Sequence, residues 1–215
     1  MSIAREGWPY IAVLLLAGGI VALRFPWVGG LLAFLGLFCA FFFRDPERTA
    51  PTGPRLVISP ADGKVVQVMP APEGHPLGNP LGPGAWQVSI FLSVFDVHVN
   101  RSPIAGTVTD VRYNPGEFLP AFDDKASLRN EQNLVIVEDG PHRVAFKQIA
   151  GLIARRIVFR KKPGDPVARG ERIGLIKFGS RMDVFVPAGT TMRVQVGQRV
   201  SAGSSVLAEL PEPPR

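Results

Sequence analysis

The sequence holds one cysteine, Cys39, and only three histidines in 215 residues. A single thiol excludes an internal disulfide framework and a Cys-x-x-Cys metal site. Zinc-ligand spacings, heptad runs and the aromatic signature of RNA-binding sheets are also missing, which sets aside zinc modules, coiled coils and the common RNA readers. Charge is absent from two stretches at the front: residues 8–23 carry none, Arg24 interrupts, and 25–43 again carry none.

Elsewhere charge is plentiful and mostly positive. Lys and Arg number 24 against 18 Asp and Glu, for a net charge of +6 and an isoelectric point near 10.0. That balance calls for an anionic partner, and without RNA-binding features an acidic membrane surface fits better than nucleic acid. Hydrophobic residues make up 46% of the chain, and the excess sits in the two front runs. A straight membrane span takes about 20 helical residues, with a lower limit near 17; the second run reaches it and the first is marginal. Arg24-Phe25-Pro26 suits a turn, because proline disfavours helix at the residue before it. The expectation is an N-terminal α-helical membrane hairpin of two apolar helices over 1–43, or a wedge sunk into one leaflet. No small-residue cleavage site follows the first run, which argues against a removed signal peptide. Arg44, Arg48 and Arg55 place the rest of the chain on the cytoplasmic side of the cell (inner) membrane by the positive-inside rule.

After a linker over 44–54, apolar runs become short, rich in Val and Ile, and bounded by Gly and Pro. Strands are expected at about 56–59, 64–69, 86–92, 106–113, 133–139, 142–149, 156–160, 172–178, 182–186, 192–196 and 205–210. A short helix is expected over 119–128, and a loop over 71–84 where Pro and Gly are dense. Residues 55–215 thus read as one mainly β domain. It also repeats itself. Residues 166–174 resemble 196–207, and Pro60-Ala61-Asp62-Gly63-Lys64-Val65 and Pro103-Ile104-Ala105-Gly106-Thr107-Val108 both look like strand entries of one hybrid β-fold. The pattern is similar to biotinyl and lipoyl carrier domains and implies a barrel-sandwich-hybrid-like domain of short interlocked strands. A fold of that kind hosts many activities.

The stretch that organises the remainder is Ile176-Lys177-Phe178-Gly179-Ser180-Arg181-Met182-Asp183-Val184-Phe185-Val186-Pro187. Apolar residues alternate on both sides of Gly179-Ser180, so two strands meet there. Alone, a Gly-Ser step between strands is as readily a plain turn as a site. His98, in an apolar strand, and Asp62, before a glycine, likewise have structural readings.

Four stretches, in order, resemble the phosphatidylserine decarboxylase family, in its short bacterial and archaeal branch. They are Phe43-Arg44-Asp45-Pro46 with Ser59-Pro60-Ala61-Asp62-Gly63; Phe91 to Pro103, including Asp96-Val97-His98-Val99-Asn100-Arg101; Asn130-Glu131-Gln132-Asn133; and Phe178-Gly179-Ser180. The resemblance implies a proenzyme that cuts itself between Gly179 and Ser180 into chains 1–179 and 180–215. Ser180 then becomes a covalent pyruvoyl group, the cofactor, with no metal and no pyridoxal phosphate. Its ketone would form a Schiff base with the amine of phosphatidylserine and drain electrons from the carbanion left by loss of CO2, giving phosphatidylethanolamine. The serine hydroxyl must first attack the Gly179 carbonyl to give an ester; β-elimination and hydrolysis then yield pyruvoyl and ammonia. Gly179 leaves room for that attack. Serine is a weak nucleophile without a base, and the resemblance assigns Asp62 and His98 to the machinery beside Ser180. Longer relatives have a second histidine where this chain has Arg101, which leaves open whether His98 serves self-cleavage or substrate turnover. The implied partners are phosphatidylserine, an anionic membrane surface, the chain's own two fragments and a homo-oligomer.

The basic cluster Arg155, Arg156, Arg160, Lys161 and Lys162 reads as a solvated face that could meet anionic head groups. Gly203-Ser204, a second Gly-Ser step, lacks the Phe178 and Met182-Asp183 surroundings. Two rivals remain: a membrane-anchored, non-catalytic carrier-like or adaptor β-domain, and a pyruvoyl decarboxylase for a soluble amino acid.

Overall fold

The computed structural model describes residues 2–73, 79–117, 129–151, 156–177 and 180–212. The chain separates into two compact units, 1–47 and 48–215.

In the first unit, β1 (Ser2–Ile3) precedes α1 (Trp8–Ala22) and α2 (Pro26–Phe42), and β2 (Arg44–Asp45) returns to pair with β1. Each helix has proline in its first turn, where the missing N–H costs no hydrogen bond. Glycines let the helices approach closely: a Cβ on Gly29 would lie 2.5 Å from that of Ala22. Tyr10 stacks on the buried Phe43 ring at 5.7 Å between centroids. These are the two apolar helices expected from the sequence, but both are shorter than their uncharged runs. The break at Arg24–Phe25 and the pairing that begins at Arg44 trim their ends. No described helix is long and apolar enough to cross a membrane. The helices still expose large apolar side chains, among them Leu16, Ile20, Leu23 and Trp27.

The second unit holds β3 (Leu56–Ile58), β4 (Gly63–Pro70), β5 (Trp86–Leu92), β6 (Val99–Arg101), β7 (Gly106–Asn114), β8 (Gln132–Asp139), β9 (His142–Ala150), β10 (Ile157–Phe159), β11 (Pro166–Val167), β12 (Arg172–Ile176), β13 (Ser180–Val186), β14 (Thr191–Met192), β15 (Arg199–Val200) and β16 (Val206–Glu209). Eight of them form one antiparallel sheet in the order β11-β7-β8-β9-β13-β5-β4-β15; the others make two three-stranded sheets, β10-β12-β6 and β14-β16-β3. Val65, Val88, Ile90, Val135, Phe146, Met182 and Val184 belong to the main core, while Leu134, Ile136, Ala145 and Phe185 form a second cluster on the other face. The alternation follows from the period-two pleat.

The internal repeat is visible in three dimensions. Gly63 and Gly106 take φ of 151° and 146°, and a Cβ on either would lie 2.1 Å from a neighbouring carbonyl oxygen, of Phe91 or Glu138. Only glycine fits such an approach. Ser59 Oγ donates to the Ala61 carbonyl at 2.6 Å, as Ser102 Oγ does to that of Ile104 at 2.7 Å. β15 pairs with β4 at Gly63, as β11 pairs with β7 at Gly106.

Two expectations need correcting. The strands flanking Gly179-Ser180 are not hairpin partners: β12 lies in a three-stranded sheet, β13 at the middle of the eight-stranded one, and Ser180 is a strand residue instead of a turn residue. The apolar strand read at His98 begins one residue after it, as β6. The expected helix over 119–128 lies outside the described residues.

Candidate active site

Ser180 opens β13, opposite Leu92 on β5 and Ala150 on β9. It is fully buried, and its Oγ has no hydrogen-bond partner among the described residues. A buried hydroxyl left unpaired costs about 1–3 kcal/mol, so it is a feature in need of a reason. Ser180 shares the inward face with Met182 and Val184. Phe178 and Gly179 lie outside the described residues, as does His75.

His98 is buried just ahead of β6. Its Nδ1 lies 3.0 Å from the Asp96 carbonyl oxygen. A carbonyl only accepts, so Nδ1 carries the proton and the lone pair of the neutral ring is on Nε2. The Ile176 N–H donates to the His98 carbonyl, which ties the histidine to β12 a few residues before Ser180. Asp96 in turn accepts from Ser93 and from Arg199, fixing the turn that presents the ring.

Asp62 sits one residue before β4. Both its oxygens are taken by the Arg48 guanidinium, and Oδ1 also accepts from Ala202 N–H at 2.7 Å. It therefore makes no hydrogen bond to Ser180 or to His98. The repeat shows that the turn does not require an acid, since Ala105 stands in the equivalent place. Arg101 points away from the His98 side of its strand, donating to the Gly170 carbonyl at 3.1 Å. Within the basic cluster Lys161 is paired with Glu171 at 2.6 Å, and Arg155 lies outside the described residues.

Sequence reading missed two polar groups around this strand. On the inward face, Asn133 Nδ2 donates to Gln148 Oε1 at 3.1 Å and Gln148 Nε2 to Asn100 Oδ1 at 2.9 Å. On the opposite face, Arg181 donates to Asp183 at 2.7 Å, to Ser89 Oγ at 2.8 Å and to Gln67 Oε1. Lys147 stands across from Asp183 in register, completely buried. Burial lowers its pKa to about 8; Asp183 opposes that shift and the Arg181 charge adds to it.

A sequence model of the family "Phosphatidylserine decarboxylase" matches residues 35–208. The chain belongs to the phosphatidylserine decarboxylase family. Curated relatives named phosphatidylserine decarboxylase proenzyme include one from Solibacter usitatus, 54% identical over 97% of both chains. One from Burkholderia mallei is 47% identical over 99% of this chain and 97% of its own. Another, from Symbiobacterium thermophilum, is 50% identical over 98% of this chain and 96% of its own.

Proposed function

We propose that this chain is a pyruvoyl-dependent decarboxylase that converts phosphatidylserine to phosphatidylethanolamine and CO2 after cutting itself between Gly179 and Ser180. The observation that carries the reading is the buried, unpartnered Ser180 Oγ at the head of the central strand. Strand pairing on both sides fixes that residue, and its hydroxyl is not committed to any structural bond, as a latent nucleophile requires. The same position fits the pyruvoyl group, which when present supplies an electron sink for decarboxylation.

The chain's own residues divide the work. Ser180 Oγ attacks the Gly179 carbonyl, its proton passing to the lone pair on His98 Nε2. Strands β5 and β9 hold residue 180 in place through both halves of the reaction and keep it from water. Asp62 supports this end of the sheet, tying Arg48 to the turn at Ala202. The lipid substrate carries its amine and carboxylate at a bilayer surface, and the exposed apolar residues of α1 and α2 bind the enzyme to the cell (inner) membrane, the β unit facing the cytoplasm.

Intact-mass measurement of the purified protein tests the reading. Two fragments meeting at 179/180 are expected in place of one 23.3 kDa species. A chain that stays whole yet decarboxylates phosphatidylserine would overturn it, and a whole chain without activity would favour the adaptor alternative.

A further inference from the structure

Asn100 is fully buried, and its Nδ2 has no hydrogen-bond partner among the described residues. The orientation of its amide is not a free choice. Gln148 Nε2 also faces the Val158 carbonyl at 3.4 Å, which can only accept, while Gln148 Oε1 receives the Asn133 amide. Gln148 therefore presents its NH2 to Asn100, so Asn100 must answer with Oδ1 and aim its own NH2 elsewhere. Three side chains on three strands thus fix one donor and leave it unused.

Where that donor stands follows from register. Gln148 is directly opposite Met182, so Ser180, two residues earlier on the same face, is its diagonal neighbour, about 7–8 Å away. Asn100, at the tip of Gln148, lies in β6, which begins one residue after His98. An Asn100 donor and a Ser180 hydroxyl, both without a partner among the described residues, and the buried His98 thus belong to one part of the chain's interior. The carbonyl that the serine attacks is the one bonded to Ser180 N.

We propose that Asn100 is a further catalytic residue of self-cleavage, its Nδ2–H stabilising the oxyanion formed when Ser180 attacks the preceding carbonyl; this rests on the self-cleavage reading above. In that step the Oγ–C bond forms, the carbonyl π electrons move onto oxygen, and the hydroxyl proton goes to His98. Collapse restores the carbonyl, breaks the C–N bond and returns the proton to the departing amine, leaving an ester. Charge exists on that oxygen only during the step, which is why the donor is unsatisfied in the resting chain. Gln148 and Asn133 act through Asn100 as positioning residues.

The test follows pulse-labelled full-length chains as the uncut band disappears. Asn100→Leu keeps the side-chain shape and removes the donor, and should cut about 10²–10³-fold more slowly, the usual loss for one oxyanion donor. Adding hydroxylamine, which cleaves esters, should not restore the cut, because the ester is what fails to form. Asn100→Asp supplies a second readout: a protonated carboxyl donates and a carboxylate does not, so its cleavage rate should fall with rising pH where the wild type's does not. An Asn100→Leu protein with a cooperative unfolding transition that cuts at the wild-type rate, or cuts fully with hydroxylamine, overturns the proposal. If that variant does not fold, an Asn100→Asp protein with the wild-type rate and pH profile overturns it. A wild type that never cuts sinks the self-cleavage reading instead.

Discussion

Lys147 faces Asp183 across adjacent strands, Nζ 3.9 Å from Oδ2, and neither side chain is exposed to solvent. Ion pairs buried this deeply are costly to form, and here Arg181 already serves the carboxylate. The lysine therefore remains under-compensated, which is why burial lowers its pKa to about 8 against about 10.4 for a free lysine. Between those two pH values the unfolded chain keeps a proton that the folded chain has released, so stability rises with pH across that window; below it both states are protonated and the penalty of the buried charge is constant. Urea unfolding midpoints from pH 7.5 to 10 should show the rise in wild type, and Lys147→Met should flatten it. Equal slopes in the two proteins would show that Lys147 is not the group responsible.

Ser180→Ala should remain one chain of about the full mass and be inactive, because no other described hydroxyl opens β13. In the wild type the small fragment, 180–215, should resist N-terminal sequencing, since a pyruvoyl end has no amine. Recovery of a sequenceable Ser180 terminus would point to cleavage by a separate protease.

Asp62 and Arg48 share a two-pronged bond, and removing one leaves the other at a mostly buried position. Asp62→Asn should lower stability by about 1.5–3 kcal/mol, in the range for bonds to charged groups, and slow self-cleavage. Arg48→Met should reproduce both effects if Asp62 acts by anchoring the turn at Ala202. Wild-type cleavage in Arg48→Met alongside slow cleavage in Asp62→Asn would show that the carboxylate acts on the site directly.

On the helical unit, Leu16, Ile20 and Trp27 are 69%, 71% and 91% exposed. Burying each such side chain in a lipid surface contributes about 1.5–3 kcal/mol. Replacing all three by serine should weaken vesicle association by at least about a thousandfold in co-sedimentation while leaving self-cleavage unchanged. Undiminished binding would remove the apolar helices as the membrane contact.

Much of this was legible in the residues themselves. Period-two patterning located most of the strands, and the Pro60 and Pro103 stretches announced a repeat that the paired glycines and serine turns bear out. Ser180 was found as a motif, though its place in the middle of a sheet was not. Register and the packing of one sheet on another could not be read: packing brings Gln148 to Asn100 across 48 residues, and register sets Lys147 against Asp183. Amides and lysines in strands look like surface residues until the strand is known to be internal. The Arg48–Asp62 pair was hidden for a related reason: its arginine had been assigned to a linker.

The position of β13 has a consequence for the history of each molecule. Its two partners, β5 and β9, come from the part of the chain ahead of Ser180, so the strand that Ser180 opens is held on both sides only once those earlier strands are in place. Cleavage is then a record that folding has succeeded. It is also a door that closes behind the protein. Before the proposed cut, refolding is a first-order event within one chain; a cut at 179/180 would leave two fragments that must find each other, at a rate that depends on their concentration. In dilute solution a mature molecule that unfolds is effectively lost, whereas its precursor can try again.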